Sequence, residues 1–191
     1  MPTENHPVTH LVGMILTLSL DVNSGGARTG NNRLYTNGME PVIRAITVDE
    51  AFDSPVFIAL CDEYRGESLR NPDMLGALPD REGYERLIAT GLLHPLGVFV
   101  GNELVGICAV LITPVLHFGG KLIASTETLF VAEAHRSGGA GIKLLRVAEE
   151  VAVNAGAGGL YVTAPTGGRL ERLLPHVGYV ETNRVFFRRV Q

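Results

Sequence analysis

The alternation of apolar and polar positions gives no clear period before Met39 and a sustained one after it. Residues 41–47 (PVIRAIT) alternate and are β-branched, which predicts a strand. Phe52, Val56, Ala59, Leu60 and Tyr64 then recur at helical spacing, so a helix is expected over 48–65, with Thr47 or Asp49 as its cap. Pro55 is tolerated only near a first turn, which places the true start later. After a break rich in glycine and proline, residues 81–91 read as a short helix ended by Gly91. Two strands flank Gly101-Asn102, a tight-turn pair and the strongest hairpin signal in the chain, and residues 119–132 make a further strand. Leu144, Leu145, Ala148, Val151, Ala152 and Ala155 lie along one face of a helix over 141–155, which the glycines at 156–159 stop. A strand at 160–164, a short helix near 168–176 and a last strand from Gly178 to Val190 close the pattern. The order is β-α-α-β-β-β-α-β-α-β, a mixed α/β domain with a parallel pairing across the 141–155 helix.

Residues 1–38 differ from this body. They hold an apolar run at 10–20 and a Gly-, Asn- and Ser-rich stretch at 21–38. The run has no preceding Lys or Arg, no cleavage signal after it, and too few residues to cross a bilayer as a helix. The expectation is a poorly ordered extension over 1–38 and one domain over 39–191. A net charge of −4 argues against nucleic acid as a partner. Cys61 and Cys108 sit in apolar contexts with no ligand spacing, so buried thiols in the reducing cytoplasm are expected. The histidines show no metal spacing either.

Chemistry concentrates in AHRSGGAGIKLL, residues 134–145. Gly138, Gly139 and Gly141 stand at the mouth of the 141–155 helix, with Arg136 ahead of them. A helix start leaves N–H groups unpaired and carries partial positive charge, and glycine removes Cβ bulk there. The result is a cradle that fits phosphate. The dinucleotide fingerprint fails because Leu144 stands where its third glycine belongs. The P-loop fails because Lys143 lies between Ile142 and Leu144.

The stretch from Arg136 through Ser137, Gly138, Gly139 and Ala140 to Gly141 does match Arg/Gln-x-x-Gly-x-Gly/Ala. This is the pyrophosphate signature of the GNAT superfamily of N-acetyltransferases, which the chain resembles over residues 41–190. The element order and LLPHVGY (173–179) fit as well. The resemblance implies a mostly antiparallel twisted sheet with helices on both faces and splayed central strands. Acetyl-CoA is the implied co-substrate, with no metal. Its pyrophosphate would lie on the amides of 136–141, and its pantetheine arm along the backbone of Leu129, Phe130 and Val131. Glu127 stands where many members carry the base that deprotonates the amine. A strand side chain at this position can instead face solvent, and the bulge that the family carries here leaves the facing open.

Many members place a Tyr four residues before the glycine that occurs here as Gly178, and this chain has Leu174 there. Tyr161, His176 or solvent then supplies the proton for the departing thiol. Residues 62–86 hold seven acids (Asp62, Glu63, Glu67, Asp73, Asp80, Glu82, Glu85) against four arginines, a lean toward a cationic amine. The implied function is acetyl transfer from acetyl-CoA to a small-molecule or peptide amine, with no membrane partner and with pairing of two copies as a further expectation. The alternatives are a non-catalytic acyl-CoA-binding module on the same fold, and an interaction protein whose glycines only turn the chain.

Overall fold

The computed structural model describes residues 39–68 and 79–190. The expected extension over 1–38 lies outside the described residues, as do 69–78 of the loop after the first helices.

The domain opens with β1 (Val42–Ala45), and then the expected 48–65 helix divides into α1 (Val48–Phe52) and α2 (Phe57–Ser68). Pro55 forces that break because it cannot sit inside a helix. Thr47 caps α1 in a reciprocal box: Glu50 N–H donates to its Oγ1 at 3.0 Å, and Thr47 N–H donates to Glu50 Oε2 at 2.9 Å. Next come α3 (Arg81–Ala89), β2 (Leu93–Val100), β3 (Glu103–Val115), β4 (Lys121–Val131), α4 (Ala140–Asn154), β5 (Leu160–Tyr161) and α5 (Arg169–Leu173).

The sheet runs β1-β2-β3-β4-β5, with antiparallel neighbours up to β4 and a parallel β4–β5 pair. The α4 face buries Leu144, Ala148 and Ala152 against Leu96, Val98, Val110 and Ile112. The opposite face carries α1 and α2 through Ile46, Ala51, Phe57 and Cys61, and through Leu60 against Leu104 and Phe130. Helices therefore cover both faces, as the family resemblance implied.

Two expectations change. The strand expected over 160–164 pairs only at Leu160 and Tyr161, with Ala124 and Ser125. The last strand, expected from Gly178 to Val190, does not form: residues 179–190 carry no strand, and Val180, Val185 and Phe186 are 81–88% exposed. Strand propensity reports fit to a pleated, half-buried surface, and a two-residue β5 offers too short an edge to supply one.

Candidate active site

β4 organises the site. Ala109 on β3 faces Thr128, while Val110 faces Thr126, so Glu127 is an extra residue without a β3 partner. This bulge resets the alternation. Ala124, before it, packs on the α4 side, whereas Leu129 and Val131, after it, pack there too. Glu127 and Thr128, adjacent in sequence, consequently both line one cleft on the other face.

That cleft encloses about 550 Å³ between the sheet and α1, α2 and α3. Tyr84 Oη donates to Glu127 Oε2 at 2.6 Å, and Thr128 Oγ1 donates to the same oxygen. Burial, reinforced by the Glu127 carboxylate beside it, pushes the Tyr84 phenol well above its usual value, so it stays protonated as a donor. The Tyr64 phenol, also on the cleft wall, is raised for the same reasons. Sequence reasoning missed Tyr84. The available signal was a tyrosine on the apolar side of a short amphipathic helix, which by itself reads as packing.

Along its other edge β4 separates from β5. The strands pair over two residues, and by Thr163 the chain reaches β4 through the Thr126 side chain, Thr163 N–H donating to Thr126 Oγ1 at 3.4 Å. Leu129, Phe130 and Val131 lie on the stretch beyond that contact, where β5 no longer pairs.

β4 then runs through a 3-10 turn (Glu133–His135) to the glycines and α4. Gly139 is the N-cap of α4 at φ 77°, a left-handed conformation that favours glycine, and it brings no side-chain cap. A Cβ added at Gly139 or Gly141 would meet nothing within 4 Å. The Arg136 amide donates to Glu133 O at 3.3 Å, the Gly138 amide to Arg136 O at 3.1 Å, and the Lys143 amide to Gly139 O at 2.9 Å. Among the described residues, the amides of Ser137, Gly139, Ala140, Gly141 and Ile142 make no such bond. Unpaired amides at the start of a 15-residue helix, opening on free space, fit a phosphate group.

The Arg136 side chain does something else. Its Nε donates to Val131 O at 2.6 Å, its guanidinium pairs with Glu67 at 2.8 Å and Glu63 at 3.7 Å, and it lies 5.1 Å from the Phe130 ring centre. It ties the end of β4 to α2.

The remaining candidates lie elsewhere. Leu174 is buried at 8% exposure, Tyr161 is half exposed at the end of β5, and the His176 ring meets Arg172 O at 2.8 Å. Neither Tyr161 nor His176 lines the cleft. Cys61 and Cys108 are buried free thiols on the cleft wall. Among the described residues no cluster of side chains suited to a metal occurs, and no helix is long and apolar enough to cross a membrane.

An open, mostly antiparallel sheet, with a glutamate at the β4 bulge and unpaired amides at the start of α4, fits the fold of an acetyltransferase: residues 59–179 match the acetyltransferase (GNAT) family, and the chain belongs to it. Solved structures share the fold at low identity. A ribosomal-protein-alanine N-acetyltransferase from Brucella melitensis is similar at a TM-score of 0.60 and 20% identity, covering 80% of this chain and 100% of that one. An aminoglycoside acetyltransferase from an uncultured soil metagenomic sample is similar at 0.64 and 20%, with the same coverage. A glucosamine-6-phosphate N-acetyltransferase from Arabidopsis thaliana is similar at 0.62 and 11%, covering 80% and 99%. No curated protein matches the chain in sequence.

Proposed function

We propose that the protein moves an acetyl group from acetyl-CoA to an amine by direct attack, with Glu127 as the base. One observation carries this reading: β4 bears Glu127 at its bulge and leads directly into the open amides at the start of α4, and the stretch between them has lost its β5 neighbour.

Acetyl-CoA, when bound, supplies an activated acetyl thioester. The amides of Ser137 and of residues 139–142 would hold its pyrophosphate, with Gly138 shaping the turn. The Leu129–Val131 edge would pair with the pantetheine amides, as an added strand does. A β4 N–H near Leu129 would polarise the thioester carbonyl. Glu127 accepts the proton of the attacking amine, directly or through water, and the Tyr84 and Thr128 hydroxyls hold its carboxylate on the cleft side. Leu174 has no proton to give, so protonation at the departing thiol falls to solvent. Arg136 serves by its side chain as a strut beneath the cradle.

Saturating acetyl-CoA, at about 100 times its dissociation constant, should stabilise the folded chain by about 2.7 kcal/mol. For a chain of this size that is a rise of roughly 5–10 °C in Tm. Glu127→Gln should keep that shift and lower amine-dependent thiol release about 100-fold or more. A shift with no thiol release from any amine would favour the non-catalytic acyl-CoA-binding module, for which the apolar Leu174 speaks. No shift in the wild type would refute the cradle.

A further inference from the structure

The acids between 62 and 86 lean toward a cationic acceptor when read as sequence, but the structure engages the six that it describes internally, Asp73 lying outside the described residues. Asp62 pairs with Arg65, Glu63 and Glu67 with Arg136, Glu85 with Arg81, and Asp80 and Glu82 with Arg86. Asp80 also caps α3, accepting from Gly83 N–H at 3.0 Å. Glu127 enters none of these pairs.

The walls around Glu127 are apolar and aromatic. Phe52 and Phe57 stack with ring centres 4.6 Å apart, and Phe52 meets the Tyr84 ring edge-on at 5.8 Å. Ile46, Ile88 and Ile107 add apolar lining on the sheet and on α3, while Thr47, Arg65 and Asp80 bring polar groups to the wall. The nearby cations are engaged in the same way: Arg65, on the cleft wall, pairs with Asp62, and Arg81, 5.7 Å over the Phe52 ring, pairs with Asp49, Asp53 and Glu85. A volume of about 550 Å³ suits a small organic molecule rather than a folded surface.

From this we propose that the acceptor is a small monoamine on an apolar, ring-sized body, its ammonium group meeting Glu127 and its body lying against Phe52, Phe57 and Ile107. The inference rests on the acetyl-transfer reading of the same cleft. A ring gains by leaving water for these walls. One ammonium finds one carboxylate, whereas a second would lose its hydration with no unengaged carboxylate among the described cleft residues to meet it, since Asp80 caps α3 and pairs with Arg86.

The test uses the full chain with acetyl-CoA and a panel of 2-phenylethylamine, ethylamine, spermidine, kanamycin and an Ala-initiated tetrapeptide, read by thiol release. Calorimetric titration of each amine onto the chain saturated with CoA gives a readout independent of turnover. The expected kcat/KM for 2-phenylethylamine exceeds that for ethylamine by about 100-fold and that for spermidine by at least ~30-fold, with the same ranking in the titrations. Ile88→Glu, which adds a carboxylate to the cleft wall, should narrow the preference over spermidine about 10-fold. If that variant does not fold, the wild-type ranking decides alone. Preferred acetylation of spermidine, kanamycin or the tetrapeptide, lost in Glu127→Gln, overturns the monoamine assignment and leaves acetyl transfer standing. Absence of both thiol release and an acetyl-CoA thermal shift overturns the two together.

Discussion

Arg136 offers the sharpest separation between a binding role and a structural one. Its guanidinium is 16% exposed and makes three kinds of contact at once. A charged donor on a carbonyl, here Val131 O at 2.6 Å, contributes about 1.5–3 kcal/mol. The pairs with Glu67 and Glu63, whose side chains are 43% and 37% exposed, contribute only ~0.2–1 kcal/mol each because water screens them. The Phe130 ring at 5.1 Å adds about 0.5–1 kcal/mol. Arg136→Ala should therefore cost roughly 3 kcal/mol, a fall of ~6–12 °C in Tm. On the proposed reading the cradle is made of main-chain N–H groups, so acetyl-CoA affinity should change less than about 5-fold when measured well below the new Tm. Arg136→Lys should recover little of the stability, since one ammonium cannot replace a planar fork serving a carbonyl and two carboxylates. Scanning calorimetry gives the first quantity and isothermal titration with acetyl-CoA the second. An unchanged Tm together with a loss of ~30-fold or more in affinity would refute this reasoning and make the guanidinium a phosphate ligand.

Tyr84→Phe removes the 2.6 Å hydrogen bond to Glu127 and keeps the ring, so kcat should fall about 10-fold while the KM for acetyl-CoA stays put. An unchanged kcat would show that the hydroxyl does not position the carboxylate. Burial pushes the Cys108 thiol up to about 12, so it should resist iodoacetamide at pH 8 in the native chain and react once urea unfolds it. The sign for stability follows: the folded value lies above the ordinary 9.0, so this stabilisation is intact below pH 9 and is lost as pH climbs toward 12. Urea titrations at pH 8 and 10.5 should show a smaller alkaline loss for Cys108→Ala than for wild type. Thr47→Ala should cost about 1 kcal/mol, because it breaks the box that starts α1, and an unchanged urea midpoint would deny the cap its role.

Local patterns determined a good deal by themselves. The period of α4, the Gly101-Asn102 hairpin and the glycines before Ala140 are each set within a few residues, and each stands where the sequence places it. The family assignment came from the same short range, since the signature is one strand–turn–helix unit. Tertiary structure decided whatever depended on a partner distant in sequence. Parity along β4 cannot reveal which way Glu127 faces, because the bulge exists only relative to the β3 register. Composition cannot reveal that Glu63 and Glu67 answer Arg136, some seventy residues away. Propensity predicted a final strand, yet a strand needs an edge to pair with, and β5 supplies only two residues. The dividing line is physical: backbone conformation and capping are short-range, whereas register, burial and charge pairing are set only when separate segments meet.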